Sequence, residues 1–237
     1  MIYTSRIVGV GNYEGKPLVT FTLASKSIPF RELRINHEKS RINVYSKKGF
    51  ENHQTNQDPE VDNYSCIRTG VTKLGERFMV TFNGHMCKRV TSNLVDGINP
   101  LTSLDLTLLA FRGAPNDARI GGISFFNKEG KNSYYLGVND VDRGEKRICS
   151  YPNFRIKELE NRIAYIYDRD TNFEKVYDLV IPGLSTQELA NNIHNNIVGQ
   201  EIKFGLATGV AIMNQEKFEF GVFNNNFDEE TIKRWSA

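Results

Sequence analysis

The stretch that decides the fold is SRIVGVGNYEGKPLVTFTLAS, residues 5–25. Its second half places Val19, Phe21 and Leu23 at every second position, with threonines between them. This alternation predicts a half-buried strand. The first half is also strand-like, and the NYEGKP segment between the halves carries the asparagine, glycine and proline that are typical of a turn. The chain is therefore predicted to open with an antiparallel hairpin.

Similar strand signals recur along the rest of the chain. The predicted strands and hairpins lie at residues 41–46, 65–84, 118–138, 162–181 and 204–224. Three other segments repeat apolar residues at helical spacing, at residues 88–98, 99–111 and 185–197. Because blocks of hairpins replace strict alternation of strand and helix, we expect an α+β layered sandwich and not a doubly wound parallel sheet.

Two of the predicted helices carry recognisable start signals. Asn99 is a predicted N-cap, followed by Pro100 at the first helical position. Ser185 and Glu188 have the spacing of a capping box. The apolar residues expected on the buried faces of these helices are Leu101, Leu104, Leu108 and Phe111 in the first, and Leu189, Ile193 and Ile197 in the second.

Composition excludes several classes of protein. The 237 residues are 39% hydrophobic, enough to bury a sizeable core, and no repeat or linker divides them, so we expect a single domain over residues 1–237. Thirty basic against 28 acidic residues leave a net charge of +2, which does not favour a nucleic-acid partner. No signal peptide and no run of ~18 apolar residues is seen, so we expect a cytoplasmic protein without a membrane partner.

Cysteine and histidine usage points in the same direction. The three cysteines, an odd number without a Cys-x-x-Cys pair, predict reduced thiols of a cytosolic protein. The four histidines are scattered without the spacing of metal ligands, so a metal site built from histidine and cysteine is not expected.

Two stretches, one with cations and one rich in glycine, are candidate binding loops. SKSIPFR, residues 25–31, contains Lys26 and Arg31, which can grip a phosphate as a point charge and as a bidentate fork. A polar turn is the alternative interpretation, because we place residues 24–33 in a loop. GVGNYEG, residues 9–15, has three glycines but matches no nucleotide-binding fingerprint, so a tight hairpin explains it better.

Two further stretches hold candidate catalytic groups at strand ends. In NYSCIR, residues 63–68, Tyr64 and Arg68 are expected on the same face of a strand, where an arginine can help a tyrosine exchange protons. A packed tyrosine beside a surface arginine is the alternative. In FNGHM, Asn83 and Gly84 can offer an amide and a backbone N–H to a carbonyl-like oxygen, although Asn-Gly is also an ordinary turn signal.

These stretches together resemble a known family. RIVGVGNYEGKPLVTFTLASKSIPFR, then NYSCIR, NGHM and ARIGGI are similar in content and order to the archaeal-type IMP cyclohydrolases, over roughly residues 3–125. The most specific pieces are SxSxPxR at residues 25–31 and YxCIR at residues 64–68.

The resemblance implies a fold and a reaction. It implies a four-layer αββα sandwich of antiparallel sheets, related to the N-terminal nucleophile hydrolases. The chain begins Met-Ile-Tyr, so no terminal nucleophile is expected. It implies a hydrolase of purine biosynthesis that closes 5-formamidoimidazole-4-carboxamide ribonucleotide (FAICAR) to inosine monophosphate (IMP) with loss of water. A purine nucleotide is then the small-molecule partner, no cofactor or metal is needed, and a homo-oligomer is expected.

The resemblance also assigns residues. Arg31 and Tyr64 take catalytic places, Tyr64 for proton transfer and Arg31 for charge stabilisation. Asp117 is the one carboxylate in the loop where the family has a catalytic acid, and that loop is shorter here. The residues expected to bind substrate are Lys26, Ser27, Asn83, Gly84 and Arg119.

Two alternatives remain open at this point. One is another amide-directed hydrolase on the same fold, with Cys66 or Cys87 as the nucleophile. The other is a non-catalytic purine-nucleotide-binding protein, since Lys26 and Arg31 are present without the usual acid.

Overall fold

The computed structural model describes most of the chain. The described residues are 4–25, 31–47, 64–83, 86–110, 118–140, 144–151, 158–167, 175–198, 205–214, 217–227 and 230. Within them the chain is an α+β protein with two antiparallel sheets and three α-helices, as the sequence predicts.

The first sheet has six strands, drawn from three separate parts of the chain. Its spatial order is β11-β10-β1-β2-β12-β13. The strands are β1 (Thr4–Tyr13), β2 (Lys16–Ser25), β10 (Arg162–Tyr167), β11 (Lys175–Asp178), β12 (Gly205–Asn214) and β13 (Lys217–Asn224). The opening hairpin therefore forms the centre of this sheet.

The second sheet has seven strands, whose order in space is their order in sequence, β3 to β9. The strands are β3 (Arg31–Asn36), β4 (Arg41–Ser46), β5 (Ser65–Val71), β6 (Arg77–Phe82), β7 (Arg119–Phe126), β8 (Asn132–Asp140) and β9 (Glu145–Tyr151). This sheet is a continuous antiparallel meander.

Helices cover the outer face of each sheet. Helices α1 (Met86–Val95) and α2 (Pro100–Ala110) pack on the seven-stranded sheet, and α3 (Thr186–Ile193) packs on the six-stranded sheet. A π-helical turn, His194–Val198, continues α3. One apolar cluster fills the space between the sheets and one lies under each helical layer, so the layers run helix, sheet, sheet, helix.

The central hairpin is more deeply buried than the sequence predicts. Both faces of β2 are covered, one by the other sheet and one by the helical layer, so the prediction of a half-buried strand is wrong. Buried Thr22 is tolerated because its hydroxyl is paired with that of Thr208, the two oxygens lying 3.0 Å apart. The Thr81 hydroxyl of the other sheet donates to the backbone carbonyl of Thr20 at 2.9 Å, so polar groups also bond across the space between the sheets.

The predicted helix starts are confirmed. The Asn99 side chain accepts from the backbone N–H of Leu101 at 3.0 Å, and Ser185 and Glu188 form both halves of a capping box. The buried face of α3 is also as predicted. In α2, however, Leu101 is 42% exposed, because the helix rests on the sheet through Leu104 and Leu108. Phe111 lies outside the described residues.

The sequence pattern does not predict the two edge strands of the seven-stranded sheet. Residues 24–33 are predicted as a loop, yet Arg31 already begins β3. Strand β9, at the other edge, carries few apolar residues and was not predicted. Both strands are fixed by a hydrogen-bonded neighbour, β4 and β8 respectively, and not by a hydrophobic pattern of their own.

Candidate functional site

The pairing of strands β3 and β4 sets the position of Arg31. It begins β3 opposite Ser46, two residues before the pair formed by Leu33 and Val44. Leu33 and Val44 belong to the core between the two sheets. Because side chains two apart in a strand share a face, Arg31 also points between the sheets. Its side chain is buried, with 7% of the residue exposed.

Tyr64 lies on the same face of the same sheet. The Val44 N–H donates to the Tyr64 carbonyl at 2.9 Å, which sets Tyr64 opposite Val44 at the start of β5. The residue is 4% exposed and belongs to the core between the sheets. The tyrosine thus comes from the strand two places away from the one that carries Arg31.

Arg31 and Tyr64 therefore share one end of the seven-stranded sheet as well as one face. Two strand spacings and a two-residue offset separate their α-carbons by about 12 Å. Both side chains are long and both lie between the sheets. Arg31 and Tyr64 thus bring a guanidinium and a phenol to the same end of the interface between the sheets.

Tyr64 and Arg68 do not share a face, contrary to the prediction. Ile42 pairs with Ile67 but Asn43 pairs with Ser65, so Cys66 is an extra residue in the ladder. Such a β-bulge reverses the alternation of side chains on its two sides. Tyr64 consequently points between the sheets, while Arg68 points to the helix-bearing face.

Asn83 lies at the same end of the sheet, where β6 ends and β7 begins. Its Nδ2 donates to the Ala118 carbonyl at 3.1 Å, and its Oδ1 accepts from the Ile120 N–H at 3.1 Å. The residue is fully buried. These bonds give the amide a structural role and leave it one N–H for other contacts. A role in substrate binding stays a prediction.

Arg119 also lies at this end of the sheet but on its other face. It pairs with Asn139, whose side chain donates to the Leu108 carbonyl of α2 at 2.7 Å. The register thus places Arg119 on the helix-bearing face, away from Arg31 and Tyr64. The geometry therefore gives its predicted contact with substrate no support. Four other predicted site residues lie outside the described residues: Lys26, Ser27, Gly84 and Asp117.

Two groups near Arg31 are not predicted from the sequence. The Lys47 ammonium, just after β4, donates to the Asn225 carbonyl at 3.1 Å; burial lowers the pKa of Lys47, against a smaller opposing effect of Glu32. The Asn224 side chain accepts from the Leu33 N–H at 2.8 Å and donates to its carbonyl at 2.9 Å. Lys47 is placed by the pairing of β4 with β3, and Asn224 by the return of β13 to β3, so no local motif marks either residue.

The cysteines are poorly placed for nucleophilic catalysis. Cys66 and Cys87 are fully buried free thiols. Burial raises the pKa of the Cys66 thiol well above its usual value and that of Cys87 to about 12. Since the thiolate is the nucleophile, neither residue is activated.

Two further properties concern the described residues only. Among them, no group of three or more His, Cys, Asp and Glu side chains is arranged to hold a metal ion. None of their helices has the length and apolar content that a bilayer crossing requires.

Comparison with known proteins identifies a family. A family model described as IMP cyclohydrolase-like protein matches residues 3–212, which include Arg31, Tyr64 and Asn83. No curated protein matches the chain significantly.

Proposed function

The chain belongs to the IMP cyclohydrolase-like family, and from that premise we propose that it is an IMP cyclohydrolase, which closes FAICAR to IMP with loss of water. The observation that carries the proposal is the common location of Arg31 and Tyr64. Separated in sequence, they share one face and one end of the seven-stranded sheet.

The reaction makes three physical demands on the protein. The attacking carboxamide nitrogen is a poor nucleophile because its lone pair is delocalised, so the formyl group must be held against it. Nucleophile and electrophile belong to one molecule, so orientation can supply several kcal/mol of the barrier. The formyl oxygen gathers negative charge before it leaves as water, and donors aimed at it can supply about 3 kcal/mol more.

A proton must also leave the carboxamide nitrogen, and the two central residues suit this proton transfer and the stabilisation of the formyl oxygen. The Tyr64 hydroxyl is a proton donor and acceptor, suited to taking the proton that leaves the carboxamide nitrogen. The Arg31 guanidinium is charged and donates several hydrogen bonds, which suits it to stabilising the developing oxyanion. Lys26 and Ser27 are proposed to hold the phosphate, with Asn83 and Gly84 near the carbonyl oxygens.

The remaining parts of the proposal follow from the family. Asp117 is proposed as the acid that protonates the departing oxygen. Arg119 would reach substrate only by passing around the ends of the strands, so it is the least supported of the proposed binding residues. We also propose the αββα relationship to N-terminal nucleophile hydrolases, a homo-oligomeric state, a cytoplasmic location and a reaction without metal or cofactor.

A second candidate function is a nucleotide-binding protein without activity. It is favoured by the buried state of Tyr64, 4% exposed, which also suits a structural tyrosine. A cysteine-dependent amide hydrolase is disfavoured by the buried, weakly acidic thiols of Cys66 and Cys87.

The test is a turnover assay with binding measured in parallel. FAICAR is supplied to the folded protein, and formation of IMP is followed by its ultraviolet absorbance against a protein-free control. Turnover above the uncatalysed rate is expected. Binding of IMP by calorimetry without turnover would replace the proposal by the non-catalytic alternative, and the absence of both would remove each of them.

A further inference from the structure

Two arginines face each other on the helix-bearing side of the seven-stranded sheet. Arg41 on β4 and Arg68 on β5 are direct partners in the ladder. Their β-carbons are therefore about 5 Å apart. The neighbouring pair, Ile42 and Ile67, points into the core between the sheets, so the arginines point the opposite way. They are separated from Arg31 and Tyr64 by the sheet itself.

Their charges are not compensated within the described part of the chain. Both residues are partly buried, and the Nε atom of each is buried without a hydrogen-bond partner. Glu32, which lies on the same face, is already paired with Arg34. Like charges directly opposite on neighbouring strands destabilise a sheet. A bound anion would therefore offset the repulsion between the two guanidinium groups.

The surroundings of Arg68 also disfavour an uncompensated positive charge. Burial lowers the pKa of Arg68, the nearby Cys87 thiol opposes that change, and the positive charge of Arg41 adds to it. A guanidinium nevertheless stays protonated in proteins. Two partly desolvated cations thus remain side by side. The polar neighbours Asn43 and Ser65 are bonded to each other at 2.8 Å, so they do not relieve the repulsion.

We infer that Arg41 and Arg68 form a second oxyanion site, separate from the candidate active site, which binds the phosphate group of a small molecule. Guanidinium groups present their N–H donors in a planar fork that matches phosphate oxygens. An anion between the two side chains accepts hydrogen bonds from their guanidinium N–H groups and turns a repulsive pair into an attractive cluster. Free phosphate and a phosphate monoester share this chemistry.

The inference is tested by titrating inorganic phosphate into the full chain, in a buffer without phosphate or sulfate. With the arginine side chains labelled with nitrogen-15, the Nε–H resonances of Arg41 and Arg68 should shift together along one binding curve, while that of Arg162 stays in place. Arg162 is paired with Asp178 on the other sheet and serves as the control. Unmoved resonances for Arg41 and Arg68 would overturn the inference.

Variants separate this site from the candidate active site. Arg41→Gln and Arg68→Gln should each weaken phosphate binding at least ~10-fold, since each removes a charged donor. Arg41→Lys keeps the charge without the planar fork, so its phosphate affinity should lie between those of Arg41→Gln and the unmodified chain. Arg162→Gln and Arg31→Gln should leave the shifts at Arg41 and Arg68 unchanged. Equal affinity in Arg68→Gln, Arg41→Gln and the unmodified chain would contradict the inference even if phosphate binds.

A second ligand identifies the source of the phosphate. Adenosine monophosphate is titrated in the same way against the same two resonances. Tighter binding than inorganic phosphate supports the site as one for a phosphate monoester, and equal or weaker binding supports it as one for free phosphate. If neither compound moves the two resonances, no oxyanion site exists there.

Discussion

At the scale of single residues, the bulge at Cys66 decides which side chains can act together. One extra residue sends Tyr64 between the sheets and Arg68 to the helical side. The YxCIR motif looks like one functional unit in sequence, but its two ends serve opposite faces. The candidate active site keeps the tyrosine, and the proposed second anion site keeps the arginine.

Replacing the tyrosine tests its proposed chemistry. Tyr64→Phe should lower kcat at least ~100-fold with little change in KM, because a proton-transfer group acts mostly in the transition state. Steady-state kinetics with FAICAR measure both constants. Tyr134→Phe is the matched control. Tyr134 is also buried between the sheets, and its hydroxyl lies 3.4 Å from the Asn12 amide nitrogen. It is several residues away from the end of the sheet that carries Tyr64, so loss of its hydroxyl should affect stability more than kcat.

Near-normal turnover in Tyr64→Phe would assign Tyr64 to packing alone. A loss of kcat in Tyr134→Phe as large as in Tyr64→Phe would show that the defect reports disturbed packing and not lost proton transfer.

A buried histidine should make the fold sensitive to acid. His194 is 5% exposed, lies 3.0 Å from the Thr208 hydroxyl and packs against Phe223, and burial lowers its pKa to about 4. The unfolded chain binds this proton near pH 6.5 and the folded chain only near pH 4. Stability is therefore lost as pH falls through that window, by roughly 1–2 kcal/mol at pH 5.

Urea unfolding at pH 7 and pH 5 measures this effect. The loss between the two pH values should shrink in His194→Gln and remain in His37→Gln, where the histidine is exposed. An identical pH dependence in the unmodified chain and in His194→Gln would contradict the assignment.

At the scale of elements, α3 packs closely on β13 because Gly221 has no side chain. A β-carbon on Gly221 of β13 would come within 2.1 Å of the Thr186 carbonyl oxygen at the start of α3. Backbone cannot move aside as a side chain can, so the helix must lift from the sheet. Glycine at this position therefore fixes the distance between a helix and a strand that are remote in sequence.

Gly221→Ala should accordingly destabilise the protein by about 2 kcal/mol or more, the scale of overpacking in a dense interior. Gly209→Ala is the control. It lies on β12 beside β13, and its new methyl would meet only the ends of the Ile42 and Leu33 side chains at 3.1 and 3.2 Å. Thermal unfolding of both variants decides the point, and equal losses would mean that α3 adjusts freely.

Local signals account for the elements that could be predicted. The central hairpin has strong alternation, and the Asn99 and Ser185 caps bond to N–H groups within three residues. The edge strands β3 and β9 depend on distant partners, so a short window of sequence does not show them. For the site, the motifs located Arg31 and Tyr64, but the bulge at Cys66 and the contacts of Asn224 follow from pairing between strands.

At the scale of the whole molecule, the two sheets are joined near the candidate site by a side chain. Asn224 ends β13 in one sheet and bonds to both backbone groups of Leu33 in the other. Leu33 lies two residues from Arg31, so this contact also positions the guanidinium. Strand β3 is an edge strand, and the amide satisfies groups that would otherwise be open.

Asn224→Ala should therefore lower both stability and turnover. The loss of two partly buried hydrogen bonds is worth roughly 1–3 kcal/mol, and kcat should fall severalfold because β3 is less firmly held. Asn214→Ala, which removes an exposed bond to Glu219, is the control and should change neither quantity appreciably. Reduced stability with unchanged kcat would show that β3 holds Arg31 in place without this amide.

The two sheets differ in how their strands are drawn from the chain. The seven-stranded meander comes from one continuous segment. In the six-stranded sheet, the central hairpin of β1 and β2 is flanked by β10 and β12, which come from the last third of the sequence. During synthesis on the ribosome, that apolar hairpin is consequently made well before the strands that flank it. Until those strands are made it offers two open edges to other nascent chains, and we expect truncated products ending before β10 to aggregate.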